Sequence, residues 1–432
     1  MVVATADILS IDHRLPADYR RKQRAGAFHL YLVLDMKSAG RKVKNNEAGG
    51  PAPNGRSSVW SQLIISILMV VTLDFLTGFI IIPESYTSFR APHYYYHHGL
   101  QPGLEAWGAW GASLYPVNTN SLGMVDSAAY KVQLEAKKPR LLILGDSHSE
   151  GVGVPYEKTF SGLLSTSLGN EMEVLNASCI SYSPKIEFLK AKLLFEQGLK
   201  VDHLFVLIDI SDMQNELVYE DFEPQERSWW NDTWYSAKFF LKNHSSIFYL
   251  VNSIIEKRQT KKFFEQAKFF NEQGLVGTPA NALELYASFF RGFDDNVLLS
   301  NPQFHGVGEW YYNEQSRILA DRGIELGKEN ILKLKSLCDA RGIKLTISVH
   351  PWHYQILKGN VHDYYVEKWQ TFAHANGLGF VNLFPLFINA QNPVVTTKMF
   401  YIKDDNHWNQ FGHARVARRL EEYFRNDKIS SN

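Results

Sequence analysis

The run LIISILMVVTLDFLTGFIII, residues 63–82, constrains this chain more than any other part of it. Twenty residues in a helix cover ~30 Å, the thickness of a bilayer's hydrocarbon core. Trp60 stands at one edge, where amphipathic rings favour the interface. Pro83 ends the run. Asp74 opposes insertion by ~2.5–3.5 kcal/mol, a cost that the flanking Leu, Ile, Val and Phe outweigh. Ten Lys and Arg, from Arg14 to Arg56, precede the run, whereas Glu84 and an isolated Arg90 follow it. The positive-inside rule then puts the N-terminus in the cytoplasm and residues from 84 onward outside. The preceding region is too long for a cleaved leader, and no small-x-small site follows. The reading is one transmembrane helix over 60–83. Residues 1–58 read as cytoplasmic and disordered, because 37–58 are rich in Gly, Ser, Pro and Lys.

Charge balance excludes one partner class. Lys and Arg number 45 against 45 Asp and Glu, with none of the basic excess of a nucleic-acid binder. Hydrophobic residues at 45% and charged residues at 21% suit a body with a sizeable core. Cys179 and Cys338 are too few for a disulfide framework and read as free buried thiols. Residues 84–140 hold APHYYYHHGL and EAWGAWGASLYP and read as an irregular apron. His93, His97 and His98 lack a carboxylate or thiol spaced to complete a tetrahedral set, so no metal is expected.

From 141 a strand–helix rhythm begins. Leu141–Leu144 is wholly apolar, as a strand covered on both faces must be. Further strands are predicted at 173–178, 203–210, 344–349 and 380–383. Helices are predicted at 157–168, 184–198, 314–341, 363–376 and 410–425. Pro184 suits a first helical turn and Gly198 a stop. Such alternation implies a parallel sheet with right-handed crossovers. The rhythm breaks over 215–315, which reads as a helical insertion.

In LLILGDSHSEGVGV, residues 141–154, the first of these strands stops at Gly145 and places Ser147 in the crevice where α/β sheets hold ligands. Asp-Ser there could equally be only a helix cap. A serine nucleophile needs a base within reach, and that base an orienting group. In YIKDDNHWNQFGHARVA, residues 401–417, Asp404 and His407 lie three apart between the last strand and the last helix. Asp405 is the alternative orienter. His413 reads as structural, and HPWH at 350–353 reaches the same rim.

The blocks GDSHSEG and DDNHWNQFGH resemble the first and last sequence blocks of the SGNH/GDSL hydrolase family. The resemblance covers roughly 140–425, within a domain read as 141–427. It implies an α/β fold, a three-layer α/β/α flavodoxin-like parallel sheet, and ester hydrolysis or acyl transfer. It implies Ser147 as nucleophile, His407 as base and Asp404 as orienter. The middle blocks depart from the family. In LNASCISYSP, Ser181 stands where the family has an oxyanion-hole glycine. In IDISDMQNE, Ser211 stands near the family's asparagine, with Asn215 one turn on. The oxyanion would then be held by Ser147, Ser181 and Ser211. No metal and no cofactor are implied.

Trp229, Trp230, Trp234, Phe239 and Phe240 make the insertion strongly aromatic. Such rings can stack on sugars, lie at a membrane interface or pack as a cap over the site. The expectation is a membrane-anchored esterase, single-pass, in a bacterial inner membrane with its active domain facing the periplasm. It would remove an acyl group, acetyl first, from an acylated carbohydrate or other small ester. Acyl transfer by the same triad and an inactive carbohydrate-binding or assembly module are the alternatives.

Overall fold

A strand that is apolar beyond its first residue needs cover on both faces, and two such strands fix the centre of this protein. A computed structural model of the chain describes residues 55–82, 89–110, 113–255, 314–388, 392–403 and 405–429. Of the predicted disordered segment, residues 1–54 lie outside these, and the expectation is corrected at 55–58, which begin a helix. The chain divides into two units, 1–79 and 80–432. Of the first, the structure describes the helix Gly55–Ile81, whose segment Val59–Ile81 is long and apolar enough to cross a membrane. Its apolar side chains, such as Leu68 and Phe79, are exposed. Length and composition fit an anchor or a signal sequence alike.

The second unit opens with an antiparallel hairpin, β1 (Arg90–His93) and β2 (His97–Leu100). Then come β3 (Glu105–Trp110), β4 (Ser113–Thr119), β5 (Val125–Asp126), β6 (Arg140–Gly145), β7 (Glu173–Asn176), β8 (His203–Ile208), β9 (Lys344–Val349) and β10 (Gly379–Asn382). Strands β6 and β8 are buried at every position. One eight-stranded sheet runs β10-β9-β8-β6-β7-β5-β4-β3. From β10 to β7 it is parallel, and from β7 to β3 antiparallel. Counted along the chain, the parallel strands stand 2-1-3-4-5, the doubly wound order that opens a crevice beside the first strand. Helix Phe160–Leu168 packs on Gln410–Ile429, and Pro184–Glu196 packs on Glu314–Asp339. Right-handed crossovers set these pairs on opposite faces.

The expectation of an irregular apron over 84–140 is corrected: this stretch supplies β1 to β5, and β3–β5 extend the main sheet. Glycine, proline and histidine hid short strands whose packing is specific. Gly108 pairs with Tyr115 across β3 and β4, and a Cβ at Gly108 would stand 2.5 Å from the Tyr115 ring. Tyr94, Tyr95, Tyr96, Tyr115, Tyr182 and Tyr219 form a second core against helix Pro184–Glu196. Two of their hydroxyls reach main-chain carbonyls: Tyr182 donates to that of His98 and Tyr219 to that of Ser181, each at 2.9 Å.

Most of the predicted insertion, 256–313, lies outside the described residues; its described part holds helix Trp229–His244, which rests on the β1–β2 hairpin through Tyr94 Oη donating to Asp232 Oδ1 at 2.7 Å. A short apolar helix, Ser246–Ile255, follows. Both cysteines are buried and free.

Opposite the crevice, the fully buried Arg140 guanidinium closes the start of the sheet. It donates to the carbonyls of Gln133, Leu134 and Lys200 and to Glu173. Replacing it leaves four acceptors without their donor, so Arg140→Leu should cost ~3 kcal/mol. The thermal midpoint of the detergent-solubilised chain measures this, and an unchanged midpoint would refute it.

Candidate active site

Strand β6 must end abruptly for residue 147 to reach the rim. Gly145 permits it, since a Cβ there would meet Ser149 Oγ at 2.3 Å and the Leu207 carbonyl at 2.9 Å. The short helix Ser147–Glu150 follows, capped by the Asp146 carboxylate, which accepts from the His148 N–H at 3.0 Å. Gly151, at φ 83°, closes it in the left-handed region. The cap and the rim position thus coexist on one turn.

The loop before the last helix meets this turn. His407 Nε2 lies 2.8 Å from Ser147 Oγ, across 260 residues of sequence. The predicted orienter Asp404 lies outside the described residues. The carboxylate against Nδ1 of His407 is that of Asp405. Its Oδ1 also accepts the His407 main-chain N–H at 2.7 Å. This is an Asx turn, which folds a carboxylate back over the residue two positions on. A spacing of two therefore brings carboxylate and imidazole together. Asp405 Oδ2 accepts from Trp110 Nε1 at 2.7 Å.

Electrostatics follow the contacts. Burial opposes charge on His407, but the Asp405 carboxylate outweighs it and holds the imidazole above its ordinary 6.5. Burial likewise opposes the Asp405 charge, and His407 with its hydrogen bonds brings that carboxyl below the usual range. Ser147 has one proton for two acceptors, because its Oγ is also 2.9 Å from Asp146 Oδ2. Burial and the Asp209 charge push Asp146 up to about 7.

The candidate oxyanion donors fare differently. Ser181 has φ 62°, left-handed backbone that favours glycine. Its loop is held at both sides. Glu150, ion-paired with Arg90, accepts the Ile180 N–H at 2.8 Å. His98 Nε2 donates to the Ile180 carbonyl at 2.6 Å, and Tyr219 Oη to the Ser181 carbonyl at 2.9 Å. Ser211 is corrected as a side-chain donor: its hydroxyl and N–H both donate to Asp209 Oδ1, at 2.6 and 2.7 Å. Burial raises the Cys179 thiol well above its usual value, which removes it as a thiolate.

Sequence reasoning missed a cluster beneath the rim. Asp209, just past β8, accepts from Trp352 Nε1 at 2.8 Å. His350 Nε2 and His148 Nδ1 lie 2.8 and 3.1 Å from the same oxygen. His148 Nε2 donates to the Asn406 carbonyl at 2.9 Å, and its ring stacks on His407 at 4.8 Å. His148, Asp209 and His350 offer a metal-type donor set within 4.8 Å, as do Asp146, Asp209 and Asp212. In the first, His148 Nδ1 and His350 Nε2 stand at ion-pair distance from the Asp209 carboxylate without hydrogen-bond geometry. HPWH hinted at this cluster by its place after β9, but nothing paired it with Asp209. Among the other histidines, His93 stacks on Tyr96 at 3.7 Å. His413 Nδ1 accepts from the Phe160 N–H at 3.2 Å. Burial brings both down to about 3.

No protein-family model matches the sequence, and no curated protein matches it. Solved structures do resemble it. One is a lipolytic protein of the G-D-S-L family from Veillonella parvula, with 11% identity, covering 66% of this chain and 97% of that one at a TM-score of 0.34. Another is a putative lipolytic protein of that family from Desulfitobacterium hafniense, with 9% identity, 66% and 99% coverage and a TM-score of 0.34. A third is an acetylxylan esterase from Geobacillus stearothermophilus, with 10% identity, 67% and 94% coverage and a TM-score of 0.32.

The left-handed backbone at Ser181 costs a side chain ~1 kcal/mol. Ser181→Gly should therefore raise stability by ~0.5–1 kcal/mol, and Ser181→Val should lower it. Thermal midpoints of the two variants should move in opposite directions.

Proposed function

We propose that this protein is a serine esterase of the SGNH type, with a three-layer α/β/α body, tethered to a membrane by the helix 55–81. One observation carries the reading: Ser147 Oγ, His407 Nε2 and the Asp405 carboxylate form one hydrogen-bonded chain at the carboxyl rim of a doubly wound sheet. Asp405 fixes the tautomer with the proton on Nδ1, so Nε2 presents a lone pair to the hydroxyl. Ser147 attacks the ester carbonyl while His407 takes its proton. The oxyanion faces the N–H groups of Ser147, at the first turn of its helix, and of Ser181. The C–O bond to the alcohol breaks as His407 returns the proton to it. Water, deprotonated by the same imidazole, then releases the acid.

Supports for the setting are independent of the triad. The excess of Lys and Arg before the apolar helix favours a body outside the cytoplasm, in a bacterial cell the periplasm. The exposed indoles of Trp229, Trp230 and Trp234 offer flat faces for sugar rings. An acetyl ester on an extracytoplasmic carbohydrate fits both.

Turnover of p-nitrophenyl acetate by the full chain in detergent should vanish in Ser147→Ala. An equal rate in the two proteins would overturn the reading and leave an inactive module. Acetate release from acetylated oligosaccharide should exceed formation of acetylated acceptor sugar, and the reverse would indicate acyl transfer. Asp405→Asn should lower kcat by ~10³–10⁴-fold, since the wrong tautomer then faces the serine. Because His407 must be neutral to act, kcat/KM should rise with pH. Its midpoint should lie above 6.5, following the raised imidazole.

A further inference from the structure

We propose that Trp110 is a positioning residue of this site, and that the β3–β4 hairpin belongs to the reaction machinery and not merely to the scaffold. The proposal rests on the serine-hydrolase reading above and goes beyond it. A carboxylate is a two-fold rotor, and buried it needs donors on both oxygens. Both N–H groups of His407 fall on Oδ1 of Asp405. The other oxygen receives the Trp110 indole N–H at 2.7 Å, from a residue 295 positions away in sequence. That bond fixes the plane of the carboxylate against the imidazole.

The same side chain touches the base directly. The Trp110 ring meets the His407 ring edge-on, with centroids 4.9 Å apart and planes at 80°. It also walls the loop after the serine, because a Cβ at Gly153 would lie 3.4 Å from the indole. Trp110 is the last residue of β3, the edge strand beyond the parallel strands. Among the described residues, the antiparallel extension brings the donor to this oxygen. The indole is also among the groups that hold the Asp405 carboxyl below its usual range.

Other titratable groups face the Asp405–His407 pair from neighbouring elements. They are His148 and Glu150 on the nucleophile helix, Asp209 after β8, His353 after β9 and His413 on the last helix. Trp110→Phe leaves all of them in place and keeps a ring against His407. Loss of the indole donor leaves the carboxylate charge less satisfied, so the pair holds its proton more tightly.

The test is the rate at which an alkyl fluorophosphonate labels Ser147 of the full chain in detergent, followed by mass spectrometry across pH. In this step Oγ bonds to phosphorus, fluoride leaves and His407 takes the hydroxyl proton. Trp110→Phe should lower the plateau rate ~10-fold, the scale of one hydrogen bond to a charged group, and move the acid limb to higher pH. In an Asp405→Asn background the same substitution should change the rate less than ~2-fold, as coupled residues require. Wild-type rate and wild-type pH dependence in Trp110→Phe would overturn this inference alone. An equal drop in both backgrounds would overturn it too, as damage to the fold at large. A wild-type chain that is never labelled would overturn the hydrolase reading together with it.

Discussion

The rim of this sheet is organised around one negative charge kept out of water. Asp405 is 6% exposed, and a carboxylate so placed stays ionised only where N–H groups replace its hydration. The main chain and ring of His407 and the indole of Trp110 do so. The charge then decides which ring nitrogen of His407 carries hydrogen. That in turn decides whether Ser147 meets a lone pair or an N–H. The direction of one hydrogen bond at the surface is thus set by a charge behind it, and the charge by an element at the edge of the sheet.

A second buried carboxylate supports the first from below. Asp209 gathers Ser211, Trp352, His350 and His148 around its two oxygens. Through His148 it reaches the Asn406 carbonyl, beside the base. Strand ends β6, β8 and β9 are therefore tied to the loop that bears His407. Asp146 differs in kind. Near pH 7 it can hold or release a proton, and it competes with His407 for the hydroxyl hydrogen of Ser147.

The parallel half of the fold was legible because unbroken apolar runs leave a strand few alternatives. Leu141–Leu144 falls in β6, the segment predicted at 203–210 forms β8 as far as Ile208, and the predicted helices fall close to their observed bounds. The antiparallel half was not legible. Its strands are short, broken by Gly108 and Pro116, and alternate aromatic with small residues, so composition suggested irregular chain. At the site, Ser147 and His407 stood out through flanking small and polar residues, and the fold brings them within hydrogen-bond distance. The carboxylate did not, because two aspartates adjoin and an Asx turn selects by backbone geometry. Trp110 carried no local signal, since its indole N–H bonds to a residue near the other end of the chain. Ser211 misled because a hydroxyl at the right position was already engaged by Asp209.

The sheet order has a consequence for how such a protein can be divided. The part of the chain from β6 onward carries the Ser147 turn, the His407 loop and most of the apolar interior. Cut before β6, such a fragment would keep the contacts among Ser147, His407 and Asp405 and lose the indole that donates to Asp405 Oδ2. The boundary of the apolar interior and the boundary of the hydrogen-bonded rim therefore fall at different places in the chain.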